Sequence, residues 1–266
     1  MATTITGTTI DVGPNKLVAN SAGNVGVGTA SPETKLTIDS DISTTYSATG
    51  YAATLANSMM YLNNTNGGSN TASLINFRTG TGDGLVGFVA GSTNECDFVV
   101  ATDGGSNGIE RLRVSNAGIV TKPYQPAFLA YPTVAQQNIA IGVSTIVLNA
   151  ERFDQGGDFN TGTSTFTAPV TGKYQFNLNV RIGAMLDTGA AYYRTYITTS
   201  NQTYYPAIID PNFTADLNYY HLCFSVLADM DAGDTAYAQV QQSGGGVKTD
   251  IDSSPENTNF SGYLVA

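Results

Sequence analysis

An all-β fold is what this chain predicts, on three observations. The stretch 164–182, STFTAPVTGKYQFNLNVRI, breaks at Pro169 and turns at Thr171-Gly172. It then alternates, with Tyr174, Phe176, Leu178 and Val180 on one side and Gln175, Asn177, Asn179 and Arg181 on the other. A period of two over this length is a half-buried strand, and its aromatic face needs a second sheet to cover it, as in a sandwich. Charged residues make up only 12% of the chain, well below the usual quarter, so Gly, Thr, Asn and Ser fill the surface. Finally, short apolar runs recur between Asn-, Asp- and Gly-rich turns, the spacing of a sandwich or barrel.

Length and charge bound the function. At 266 residues the chain suffices for one large or two ordinary domains. A net charge of −10 and a pI near 4.3 argue against a nucleic-acid binder, which needs a basic face, and against docking to an anionic membrane. No apolar run approaches the length of a membrane span, so no insertion is expected. MATTITGTTIDVG at the N-terminus lacks a basic start and an apolar core, so no secretory leader is expected. Cys96 and Cys223 fall in different predicted modules and are expected to be buried free thiols.

Residues 1–22 form an N-terminal attachment segment without a strong pattern. GNVGVGTASP follows at 23–32, with Val25 and Val27 between small or polar residues, then Lys35–Ile38. Glycine there permits close backbone approach or a sharp turn. A Gly-rich loop before a hairpin fits the residues. The run also resembles a Gly-Asn-Val-Gly-Ile-Gly-Thr-x-x-Pro segment of phage tail fibres and related trimeric fibres. Further strands are expected at 52–55, 59–62, 73–78, 85–89, 97–101 and 110–114, although 52–62 also fits one helix because Leu55, Met59 and Leu62 align. LVANSAGNV at 17–25 echoes LRVSNAGIV at 112–120, and ERLRVSNAG at 110–118 resembles the segment that closes fibre modules. The resemblance implies a Gly-rich β fibre-shaft module over 23–122. Pro123 and Pro126 then mark an extended linker at 123–126.

From 127 onward, strands are expected at 127–131, 139–148, 164–168, 173–182, 191–199, 204–209, 218–227, 235–241 and 259–265. FDQGGDF at 153–159, FTAPVTGKYQFNLNV, MDAGDTAYAQV at 230–240 and NFSGYLVA at 259–266 occur in this order. Together they resemble the complement 1q-like globular head, a tumour-necrosis-factor-like jelly roll. The resemblance implies a C-terminal jelly-roll β-sandwich over 127–266, a homotrimer, and a closing strand beside the first strand near the trimer axis. Tyr263 and Val265 are then the candidate trimer-interface residues.

Catalysis has little to work with. His221, the sole histidine, shares a strand face with Cys223 but has no oxyanion-type loop, and packing within the strand is the expected role. No catalytic residue is assigned, and no enzyme is expected. Carboxylates cluster at Asp229, Asp231 and Asp234 around Gly233, at Asp154 and Asp158, and at Asp250 and Asp252. Such pairs suit solvated turns, calcium ligation or glycoside hydrolysis. Asp229, Asp231 and Asp234 are the calcium candidates, and no other cofactor is expected. In the tyrosine-rich stretch, Tyr192, Tyr204 and Tyr205 are the receptor candidates, since an outward ring with a hydroxyl rim suits sugar contact. The combined expectation is a homotrimeric bacteriophage fibre on the exterior of the virion, tail or capsid. It would attach to other virion proteins through its N-terminus and meet a host cell-surface glycan or protein with its head. The alternatives are a non-adhesive capsid decoration or fibre tip, and a polysaccharide-degrading spike.

Overall fold

In the computed structural model of the protein, residues 17–29, 31–39, 60–66, 68–92, 95–104, 108–186, 189–215, 217–246 and 248–266 are described. Every regular element among them is a β-strand. The attachment segment, up to residue 16, lies outside the described residues, as does 52–59 of the strand-or-helix alternative. Met60–Leu62 form no strand, contrary to expectation. Just beyond them Asn64 and Asn66 bond the local backbone, at Asn66 N (3.1 Å) and Gly68 N (3.2 Å), which competes with a ladder. The chain divides into two compact units, residues 1–99 and 100–266.

In the first unit, Leu17–Ala19 (β1) and Val25–Val27 (β2) form an antiparallel hairpin, and β2 pairs in parallel with Leu36–Ile38 (β3). The glycines here are dictated by contact. A Cβ on Gly26 would lie 2.7 Å from the Thr29 carbonyl oxygen, and one on Gly28 would overlap that of Asp39. Ala72–Thr79 (β4) and Gly82–Ala90 (β5) pair along their whole length around Gly80, whose φ of 64° suits a two-residue hairpin loop. Cys96–Asp103 (β6) carries the division between the units.

The second unit opens with the hairpin Gly108–Val114 (β7) and Val120–Thr121 (β8). The echo between 17–25 and 112–120 is one turn used twice. Gly23 and Gly118 both have positive φ, 74° and 78°. Their N–H groups donate to Asn20 O (2.9 Å) and Ser115 O (2.8 Å). The predicted linker is tied to the head: Gln125 Nε2 donates to Leu264 O at 2.6 Å, and Gln155 Nε2 donates to Lys122 O at 2.7 Å.

Two antiparallel sheets build the head. Its strands are Ala127–Tyr131 (β9), Gln136–Ile139 (β10), Gly142–Thr145 (β11), Ala150–Gln155 (β12), Phe159–Asn160 (β13), Thr165–Thr167 (β14), Gly172–Leu186 (β15), Ala190–Thr199 (β16), Thr203–Tyr204 (β17), Ile208–Ile209 (β18), Leu217–Met230 (β19), Thr235–Gly244 (β20), Thr249–Ile251 (β21) and Asn259–Leu264 (β22). In the first sheet β15 is central. One edge takes β19, and the other takes β22 along Tyr174–Asn179 and β21 at Ile182–Gly183. Beyond β22 come β9 and β12, so the closing strand does lie beside the first. The second sheet runs β13-β14-β20-β16-β17, with β11 on β20 and β18 on β16.

The core lies between these sheets. Tyr174, Phe176, Leu178 and Val180 are fully buried as the alternation predicts, with Gln175, Asn177 and Asn179 half-buried on the opposite face. Phe128 stacks on Phe159 and Phe166, each at 4.9 Å between ring centres, and meets Phe260 edge-on at 5.2 Å. Tyr174 satisfies its hydroxyl by donating to Val170 O at 2.7 Å.

Three expectations are corrected. Residues 139–148 do not form one strand, because the chain changes sheets there: β10 pairs β21 in one, β11 pairs β20 in the other. Ile146 and Leu148 then cross through the core, where Leu148 N–H is satisfied by Ser164 Oγ at 2.8 Å and Val147 N–H by Gln136 Oε1 at 2.8 Å. Residues 204–209 split into β17 and β18 around Pro206, which cannot donate to a ladder. The two cysteines are exposed rather than buried. Leu222 and Phe224 point inward from β19, so Cys223 must point out.

Candidate functional site

Two sheet faces gather the residues of interest. The first is the outer face of β12-β9-β22-β15-β19. Alternation places Lys173, Gln175, Asn177, Asn179 and Arg181 on it from β15, and His221, Cys223, Ser225, Leu227 and Asp229 from β19. Its middle is neutral and polar: Asn179 Nδ2 donates to Asn259 Oδ1 at 3.1 Å, and Asn177 Nδ2 to Ser261 Oγ at 3.4 Å. Around this, Phe153, Leu227, Tyr263 and Val265 stand about half exposed. Charge on the face is balanced within the chain. Lys173 pairs with Asp229 at 2.5 Å, and Arg181 pairs with Asp252 while its guanidinium lies 4.7 Å over the Tyr219 ring. This matters because residues 127–266 carry 12 acidic and 5 basic side chains. Pairing of charge within each chain lowers the repulsion between identical copies that share such a face. Both trimer-interface candidates, Tyr263 and Val265, are exposed here.

The calcium candidates are not brought together. Asp229 faces Lys173 across the sheet. Asp234 closes the turn at Gly233 (φ 93°): its Oδ2 accepts from the Asp231 N–H at 2.8 Å and from Asn201 Nδ2 at 2.6 Å. The Asp231 N–H bond, with those of Asn201 and Ser200, holds the Asp234 carboxyl below the usual aspartate value against partial desolvation. Among the described residues no group of three or more His, Cys, Asp or Glu converges on one point. Asp154 is likewise engaged with backbone, accepting from the N–H groups of Asp158 (3.1 Å) and Phe159 (2.9 Å). Burial, then the Asp154 charge, push Asp158 above the usual aspartate value.

The second face is the outside of β16 and β20. Tyr193 and Ile197 point into the core, so Tyr192, Arg194, Tyr196 and Thr198 point out, beside Gln239, Gln241 and Ser243 of β20. Of the receptor candidates, Tyr192 and Tyr205 share this face. The Arg194 guanidinium carbon lies 4.9 Å from each ring centre. Tyr205 also meets Tyr196 at 5.6 Å. Tyr204 differs: it is half-buried and packs against the core. Sequence reasoning passed over Arg194, Gln239 and Gln241. The signal for them was the outward set Tyr-x-Arg-x-Tyr-x-Thr at 192–198, paired with Gln-x-Gln at 239–241.

The family described as "C1q domain" matches residues 127–265, just over half of the chain. The chain belongs to the C1q domain family. The match covers the two-sheet head and ends one residue before the C-terminus. Solved structures similar to this C1q-family chain include the globular domain of zebrafish complement 1qA protein, 19% identical, over 53% of this chain and 98% of that one, at a TM-score of 0.39. Murine APRIL is 10% identical over 53% and 99%, at 0.40. The Eiger TNF of S. frugiperda is 12% identical over 55% and 94%, at 0.38. No curated protein matches the chain.

Proposed function

We propose that this chain is a homotrimeric fibre on the exterior of a bacteriophage virion, tail or capsid, whose C1q-type head adheres to the host surface. The observation that carries this reading lies in the first unit. Its strands β1–β3 are three residues each, yet Leu17, Val27 and Leu36 are exposed, and Gly26 and Gly28 hold backbone against backbone. Strands so short bury too little apolar surface to hold alone, and other copies of the chain would supply the missing cover. The Gly-Asn-Val-Gly resemblance to phage fibres points the same way. The head's charge-balanced outer face suits packing about a threefold axis. Residues before 23 would attach to other virion proteins, and a host glycan or protein would meet the head. We read the work as contact rather than turnover, since His221 and Cys223 lie two residues apart on one strand and, among the described residues, no further His, Asp or Glu cluster forms with them.

Light scattering of the purified protein at micromolar concentration should give the mass of three chains, and Leu227→Asp with Tyr263→Asp should reduce it to one. Labelled antibody should decorate the outside of virions, and the protein should coat host cells. A folded wild-type monomer would sink the fibre reading.

A further inference from the structure

We propose that the outer face of β16 and β20 is a glycan-binding platform for a single carboxylated sugar within an otherwise neutral oligosaccharide, with Arg194 as the carboxylate contact. This rests on the adhesion reading above and names its ligand class.

Hydrogen-bond inventory is the starting point. The Tyr196 hydroxyl donates to Gln241 Oε1, and the Thr198 hydroxyl donates to Gln239 Oε1 at 2.8 Å. Each amide oxygen therefore already has one neighbour on the same sheet. Each Nε2 group adds donors on the outer face. Arg194 adds a guanidinium, which has donors and no acceptor. It forms no ion pair among the described residues, and its Nε is shielded from water without a hydrogen-bond partner there. Its guanidinium carbon lies 4.9 Å from the centres of both the Tyr192 and the Tyr205 rings. Register places the donors together: Arg194 opposes Gln241, and Tyr196 opposes Gln239.

A surface of donors between aromatic rings complements an acceptor-rich group with an apolar face. A pyranose presents C–H bonds to a tyrosine ring and hydroxyl oxygens to amide donors. A carboxylate on that sugar accepts from the guanidinium in bidentate fashion. Arg194 is the sole formal charge carried by β16 and β20, within a region of 12 acidic and 5 basic side chains. That acidic field repels a polyanion but tolerates one isolated carboxylate beside the cation. Tyr196 is almost fully buried and already meets the Tyr205 ring at 5.6 Å, so little freedom of the Tyr196 side chain is left to lose on binding.

The test uses the full-length protein on immobilised oligosaccharides that carry one glucuronate, galacturonate or N-acetylneuraminate, with the carboxyl-reduced form of each and polygalacturonate alongside. At least one mono-acidic probe should bind, and carboxyl reduction should weaken it about tenfold or more, as for loss of a charged hydrogen bond. Arg194→Gln should produce a similar loss with unchanged circular dichroism and melting. Arg194→Lys should also lose binding, because an ammonium cannot both stack flat and grip a carboxylate in bidentate fashion. Equal binding of acidic and reduced probes, preference for polygalacturonate, or an Arg194→Gln variant as active as wild type would each overturn the proposal. So would a changed oligomer mass in Arg194→Gln, which would make the face a contact between copies. If host cells still bind while every mono-acidic probe fails, this proposal falls and adhesion stands; if cells fail too, both fall.

Discussion

Gly262 is the most sharply determined position in the head. It sits in β22 between Phe176 of β15 and Phe128 of β9, its register partners on either side. A Cβ there would lie 2.5 and 2.7 Å from two Phe176 ring carbons and 2.9 Å from one of Phe128. Phe176 cannot swing aside. It is fully buried, with Phe260 at 5.5 Å, Phe166 at 5.6 Å, Tyr174 at 6.2 Å and Phe128 at 6.4 Å between ring centres. Overpacking costs about 1–3 kcal/mol, and a ring so enclosed places Gly262→Ala near the upper end. Gly262 does not have positive φ, so alanine recovers roughly 0.4–1 kcal/mol by restricting the unfolded chain. The net expectation is about 2 kcal/mol of destabilisation. At about 2–4 °C per kcal/mol for a domain near this size, the melting temperature should fall by about 4–8 °C. Near-ultraviolet circular dichroism of the tyrosines would follow it, at one fixed protein concentration because assembly adds to stability. Phe176→Leu combined with Gly262→Ala should cost less than the two separate losses together, since the smaller side chain opens the space that the methyl needs. An unchanged melting temperature for Gly262→Ala, or strict additivity of the pair, would refute the packing argument.

Three further outcomes are expected. Phe176→Ala should cost about 3–5 kcal/mol in denaturant unfolding, while Gln175→Ala on the opposite face of β15 should cost far less. The folded-state pKa of Asp158 is raised by burial and by Asp154, so the wild type loses stability as pH climbs from the ordinary aspartate value through the raised one. Asp158→Asn should therefore melt higher than wild type at about pH 7 and not at about pH 3. Cys223 is exposed in a single chain on the face assigned to assembly, so maleimide should label it slowly in the native protein and quickly in the dissociated Leu227→Asp, Tyr263→Asp variant. Equal rates would move the interface elsewhere.

Much of the head was legible in the sequence because its signals are local. Side chains alternate strictly along a strand, so Tyr174, Phe176, Leu178 and Val180 had to share a face, and aromatics on that face had to be covered. The paired Ala-Gly turns at 22–23 and 117–118 needed positive φ, which glycine supplies and both hairpins use. The glycines at 26 and 28 announced close approach or a sharp turn, although which atoms approach them, and that Gly262 is equally confined, came only with the fold.

Tertiary structure decided the rest, and each case turns on a partner distant in sequence. Residues 139–148 look continuous, but their hydrogen-bond partners lie on two different sheets, at 249–251 and 239–242. Periodicity shows that β19 has two faces. It does not show that Leu222 and Phe224 face the core while Cys223 and His221 face out, because both sets are compatible with burial. Tyr204 and Tyr205 are indistinguishable as residues, yet one packs inward and the other flanks Arg194. The three carboxylates at 229–234 form a cluster in the sequence, whereas in the fold Asp229 meets Lys173 and Asp234 closes a turn. Chemistry at a surface depends on which side chains share a face and what their polar atoms already bond, and both are set by strand pairing across the whole head.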